Sequence, residues 1–168
     1  MKNFIDFGCG DNLKWVEKAK LLEYYTIAIN QRKYELMESD KWNFVVDETH
    51  LIKFSDEADI PKADDWNCVS VLEHLLEHEI DKELQGIRSK VKKSSVGHIA
   101  IDLTDHEGGF RHYYKEDYAT DYPVFYLNRI RSDEWEHIIQ KYFKFDKIRK
   151  IYKNNIIKTL EGRARYVE

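Results

Sequence analysis

The chain has 168 residues, enough for one domain with a sizeable core. With 35% charged and 14% aromatic residues it is neither disordered nor fibrous, and its net charge of −4 gives no reason to expect nucleic acid. Two cysteines, Cys9 and Cys68, lack C-x-x-C spacing, no apolar run reaches membrane-spanning length, and no signal-peptide pattern opens the chain. The expectations are no metal site, no membrane span and a reducing, cytoplasmic location.

The first apolar run, Phe4-Ile5-Asp6-Phe7, leads into Gly8-Cys9-Gly10 and then a helical pattern. It reads as a buried strand, a glycine-rich turn that lets a ligand approach the backbone, and a helix. The helix starts at about position 12 with Asp11 or Asn12 as its cap, and Trp15, Val16, Ala19 and Leu22 form its buried stripe. Residues 24–29 are rich in β-branched and aromatic types and read as strand two, ended by Asn30. A short helix over 31–40 and a third strand over 42–46, ending at Asp47, are expected next. Residues 48–65 are acidic and irregular, with Pro61 as a breaker.

The run from Asn67 to Leu72 is nearly all apolar, as in a central parallel strand, and leads into Glu73-His74. Leu76, Ile80, Leu84, Ile87 and Val91 recur at helical spacing, and Lys92 to Ser95 are expected to close that helix. Strand five is read over 96–103, emerging into Asp105-His106. Residues 107–131 form a long aromatic stretch that includes Tyr113 and Tyr114. A helix capped by Ser132 and a pair of strands over 145–152 and 156–166 complete the chain. Residues 141–165 hold nine Lys/Arg against two acids, which reads as a solvated face or, more sharply, as a match for a phosphate-bearing substrate. Alternating strands and helices predict a single three-layer α/β domain over 1–168, with a mostly parallel sheet and a C-terminal antiparallel hairpin. Its ligand belongs outside the C-terminal strand ends, near the point where strand order reverses.

The Asp6-x-Gly8-x-Gly10 motif at the end of a first strand resembles the cofactor motif of class I S-adenosylmethionine (SAM)-dependent methyltransferases. The Ser70-Val71-Leu72-Glu73-His74-Leu75 stretch is similar to the fourth-strand motif of many of them. A dinucleotide fingerprint would need a glycine at position 13, which is Leu13. The resemblance spans nearly the whole chain and implies a Rossmann-like methyltransferase fold, with SAM as cofactor and S-adenosylhomocysteine as product. It implies Asp6, Gly8, Cys9, Gly10, Val71 and Leu72 around the cofactor, Asn30 at the ribose, and Asp47 or Glu48 near the adenine. Two positions depart from the family: Asn12 stands where a further glycine is common, and Asn30 where an acid is usual.

Methyl transfer to a hydroxyl benefits from a general base near neutral pH, so His106 is the first candidate, oriented by Asp105, with His74 second. Glu73, Tyr113, Tyr114, Arg129 and Arg131 are the candidates for holding the acceptor, the arginines suiting a carboxylate or phosphate. Asp105-His106 and the later 125–135 stretch resemble methyltransferases linked to bacterial surface glycans, which implies a glycan or related small metabolite as acceptor. Almost nothing precedes strand one, so the acceptor's cover is expected from 107–131, read as a substrate-covering insertion, rather than from another protomer. The competing reading is a degenerate methyltransferase-like domain that binds a partner without turnover, motivated by Asn12 and Asn30.

Overall fold

The computed structural model describes residues 1–10, 13–31, 35–104, 127–153 and 156–166. In chain order the elements are β1 (Asn3–Phe7), α1 (Lys14–Leu21), β2 (Tyr25–Asn30), α2 (Asp40–Val45), β3 (Glu48–Leu51) and β4 (Ala63–Val69). There follow α3 (Ile80–Ser89), β5 (Val91–Asp102), α4 (Ser132–Gln140), β6 (Phe143–Lys153) and β7 (Ile156–Tyr166). One seven-stranded sheet has the order β3-β2-β1-β4-β5-β7-β6. Strands β1 to β5 pair in parallel, and β7 runs antiparallel between β5 and β6. Strand order therefore reverses at β1, which has β2 on one side and β4 on the other.

Alternation along the strands sends side chains to two separate cores. Ile5 and Phe7 of β1 and Ile27 and Ile29 of β2 pack with Leu84 and Ile87 of α3 and Trp135 and Ile139 of α4. Ala28 turns to the other face and joins Leu13 and Val16 with Trp42 and Val45 of α2. On α3, Gly86 is required by packing, because a Cβ there would overlap the Phe54 carbonyl.

Residues 42–46, expected as a strand, lie in α2 and just past its end. Ser39 caps this helix, its Oγ accepting the Trp42 amide at 3.3 Å. A strand would place Trp42, Phe44 and Val46 on one face. Instead Trp42, Val45 and Val46 are buried at helical spacing and Phe44 is 83% exposed. The third strand is β3, which starts after Asp47. Helix α3 is also shorter than its apolar pattern suggests. Lys90 ends it, its buried ammonium donating to the carbonyls of Phe54 at 2.7 Å and Asp56 at 2.8 Å. Lys92 to Ser95 accordingly belong to β5. At α4 the cap is Arg131 rather than Ser132, with the Arg131 amide donating to Glu134 Oε2 at 2.9 Å.

Candidate active site at the strand ends

The chain leaves β1 through two glycines with left-handed backbone, Gly8 at φ 76° and Gly10 at φ 56°. The Gly8 amide donates to the Ile29 carbonyl at 2.7 Å, and the Gly10 amide to Asn30 Oδ1 at 3.0 Å. A Cβ on Gly8 would come within 2.5 Å of Val71 Cγ2, so only glycine lets the segment after β4 approach the turn. Ser70, itself left-handed at φ 55°, donates its amide to the Ala100 carbonyl at 2.8 Å. The ends of β1, β2, β4 and β5 are thereby stitched together at the point of strand reversal, where open α/β sheets bind ligands.

Asp6 lies beneath this turn, buried in the sheet. Its Oδ1 accepts from Asn67 Nδ2 at 2.8 Å, while Oδ2 has no partner among the described residues. Burial lifts its pKa to about 8, against the lowering effect of the Asn67 bond. Asn30 is also buried, and its amide faces back into the turn: Oδ1 holds the Gly10 amide and Nδ2 donates to Cys9 Sγ at 3.7 Å. Cys9 is buried beside it.

Past β4, Leu72–His74 form a single 3-10 turn. Leu72 is buried in the core, and His74 is half-buried with its amide on the Val71 carbonyl. Glu73 is buried and reaches under β5, where its Oε1 accepts the Asp102 amide at 3.1 Å. Its Oε2 has no partner among the described residues, and burial raises its pKa to about 8. Asn128 closes over the same turn. Its amide donates to the Glu73 carbonyl at 2.8 Å, and its Nδ2 to the carbonyls of Leu72 at 2.9 Å and Leu75 at 3.1 Å. Beside this junction a cleft of about 670 Å³ opens between Glu77 and the start of α4, lined by Arg129, Ile130, Asp133, His137 and Ile138.

The structure does not bring Asp47 and Glu48 to this place. Asp47 precedes β3 and sits beside the first residues of β2, at the opposite end of the sheet from the glycine turn. It accepts the Thr26 amide at 2.8 Å and the Thr26 hydroxyl at 2.9 Å, and pairs with Lys20. Burial alone would raise its pKa, but the Lys20 and Thr26 hydrogen bonds bring it below the usual carboxylate value. Glu48, level with Ile27, accepts from the Tyr25 hydroxyl and lies 2.6 Å from His50 Nε2. The expectation for both residues follows from a strand over 42–46; because that segment forms α2, Asp47 and Glu48 instead stand at the start of β3, beside the first residues of β2. Arg131 is occupied at the start of α4 with Glu134 and Asp133, whereas Arg129 is exposed at the cleft. Asp105, His106, Tyr113 and Tyr114 lie outside the described residues. Among the described residues no group of three or more His, Cys, Asp or Glu is placed to hold a metal, and no helix is long and apolar enough to cross a membrane.

Sequence reasoning missed Asn67, Asp102 and Asn128. Asn67 carried a signal, as the polar residue at the head of the nearly apolar run 67–72; the other two carried none.

No family model and no curated protein matches the chain, but solved structures do. The 1,6-didemethyltoxoflavin-N1-methyltransferase of Burkholderia thailandensis, with S-adenosylhomocysteine bound, superposes with a TM-score of 0.69 at 13% identity, covering 99% of this chain and 72% of that one. A SAM-dependent methyltransferase from Clostridium acetobutylicum gives 0.71 at 10% identity over 98% and 84% of the two chains. A TehB-like SAM-dependent methyltransferase from Corynebacterium glutamicum gives 0.68 at 12% over 99% and 80%. The chain thus has the class I SAM-dependent methyltransferase fold, end to end. At these identities the likeness defines the fold alone.

Proposed function

We propose that this protein is a SAM-dependent methyltransferase acting on a small polar acceptor, at oxygen of a sugar or a related metabolite. The observation that carries the reading is the twin-glycine turn, left-handed at both glycines, at the point where strand order reverses. The residues present fit SAM at its amino-acid end. Asp6 Oδ2, which has no partner among the described residues, lies below the turn and can accept from an α-ammonium group. Asp6, Gly8, Cys9, Gly10, Val71 and Leu72 would hold it, with Asn30 acting through Gly10. When bound, SAM supplies a methyl group on a sulfonium.

The chain's own task is then positioning. In this reading His106, oriented by Asp105, takes the proton of the acceptor hydroxyl, with His74 as the second candidate base. Glu73, Tyr113 and Tyr114 hold the acceptor, and Arg129, exposed at the mouth of the cleft, meets an acidic group on it. Solved neighbours act on chemically diverse molecules: one binds 1,6-didemethyltoxoflavin and another is a magnesium protoporphyrin IX methyltransferase. The preference for a sugar hydroxyl therefore rests on the sequence resemblance around 105–135.

The deciding experiment is calorimetric titration with SAM and S-adenosylhomocysteine. Binding at about micromolar level, abolished in a folded Gly8→Arg variant, supports the reading and justifies screening glycans, nucleotide sugars and small acids as acceptors. One observation favours a second reading, a binding or partner subunit without turnover. The amide of Asn30 is buried and engaged with the turn, so the end of β2 offers no carboxylate for ribose hydroxyls. The absence of heat and of a thermal shift at millimolar ligand would establish that alternative.

A further inference from the structure

Strands β6 and β7 run on past the end of the sheet. The last rung that β7 shares with β5 is Asp102 with Thr159, and the Leu103 amide donates to the Lys158 carbonyl at 2.8 Å. Beyond that, β6 and β7 pair only with each other, Tyr152 with Ile157 and Lys153 with Ile156. At the usual rise per strand residue this two-stranded ribbon projects by about 10 Å.

Its side chains are not those of a solvated turn. Ile151 is 43% exposed, and Tyr152 and Ile156 are each 59% exposed, with Ile157 half-buried beside them. The span 149–158 contains four Lys/Arg and no acid, in a chain whose net charge is negative. Arg149 pairs with Glu161 and Lys150 with Glu136. Among the described residues Lys153 and Lys158 have no carboxylate partner.

Aliphatic and aromatic side chains at a projecting end, collared by cations, suit one kind of surface. The apolar groups can enter the headgroup layer of a bilayer while the lysine stems lie along it and their ammonium groups meet anionic headgroups. We propose that the projecting end of the β6–β7 hairpin docks on an anionic lipid surface. Two other occupants fit less well. A second copy related by a twofold axis would set these lysines against their own counterparts. A single-stranded nucleic acid would gain from the cations and from Tyr152, but three isoleucines offer no stacking face. Because Thr159 is level with the last residue of β5, the ribbon projects on the side of the sheet where the glycine turn and Glu73 lie. Docking there faces the strand ends toward the lipid, whether or not the site transfers methyl groups.

The test is co-sedimentation of the whole chain with phosphatidylcholine vesicles, alone and mixed with phosphatidylglycerol. Expected are binding to the mixed vesicles only and release by added salt. Partition should fall at least about tenfold in Ile151→Asp/Ile156→Asp, and about fivefold for each of Lys153→Ala and Lys158→Ala. Phe44→Asp, which removes a still more exposed apolar side chain on α2, should leave binding unchanged. Circular dichroism of each variant verifies folding. The proposal is overturned by wild-type protein that stays in solution with the mixed vesicles, or by hairpin variants that bind undiminished. Hairpin-dependent dimerisation, or retention of a single-stranded oligonucleotide, without vesicle binding would assign the surface to those partners instead.

Discussion

Asn128 closes the 3-10 turn of Glu73 from outside: its amide donates to the Glu73 carbonyl at 2.8 Å, while the Glu73 carboxyl accepts the Asp102 amide at 3.1 Å. One residue after β4 therefore fixes both the end of β5 and the segment that leads into α4. The Asn128 side chain also donates to the carbonyls of Leu72, which already accepts the Leu75 amide, and of Leu75. Asn128→Ala should cost about 1–3 kcal/mol by chemical denaturation. Arg129→Ala, one residue on and exposed, should change stability by less than about 0.5 kcal/mol.

The two buried carboxyls set a pH dependence. Asp6 and Glu73 have folded-state pKa values near 8, above ordinary values of 3.8 and 4.5, because burial penalises the charged form. The folded protein thus binds more protons than the unfolded chain between about pH 4 and 8, so stability is greatest at the acid end of that window and falls as pH rises through it. Asp6→Asn and Glu73→Gln should each flatten the decline of Tm from pH 5 to 9 by at least about 3 °C. Parallel curves for variant and wild type would place both carboxyls in an ordinary environment.

Cofactor binding should move protons for the same reason. A ligand ammonium brought against Asp6 favours its charged form and lowers its pKa. S-Adenosylhomocysteine binding near pH 7 should therefore release a proton, read as a binding enthalpy that varies with the ionisation enthalpy of the buffer. Asp6→Asn should bind with little such dependence.

Gly8 combines a left-handed backbone with a neighbour already in contact. Gly8→Ala should destabilise by about 1–3 kcal/mol from backbone strain, with a further contribution from the Val71 clash. Only the clash can be relieved by shortening the neighbour. In a double-mutant cycle, Gly8→Ala should cost less in a Val71→Ala background than in the wild type. Additive costs would mean that Val71 does not press on the turn.

The structure of 40–46 has its own test. Ser39→Ala removes the cap of α2 and should cost about 1 kcal/mol. Val45→Asp, which buries a charge against Leu13 and Val16, should be far more damaging than Phe44→Asp. The reverse ranking would restore the strand.

What the sequence by itself determined follows from periodicity and backbone chemistry. Apolar runs with short-range signals gave β1, β2, the core of α3, α4 and the terminal hairpin, and the glycine pair marked the turn because few other residues adopt its backbone. Those signals are local and survive without knowledge of neighbours. The tertiary structure alone decided the rest. Five residues at 42–46 fit either period, and only burial against Leu13, Val16 and Ala28 selected the helix, which then moved Asp47 and Glu48 to the far end of the sheet. It was likewise the fold that turned the Asn30 amide toward Gly10, buried Glu73 under β5 and brought Asn128 across 55 residues of chain to cap it. Such long-range polar pairings leave no periodic trace, because a hydrogen bond depends on where two groups meet in space and not on how they are spaced along the chain.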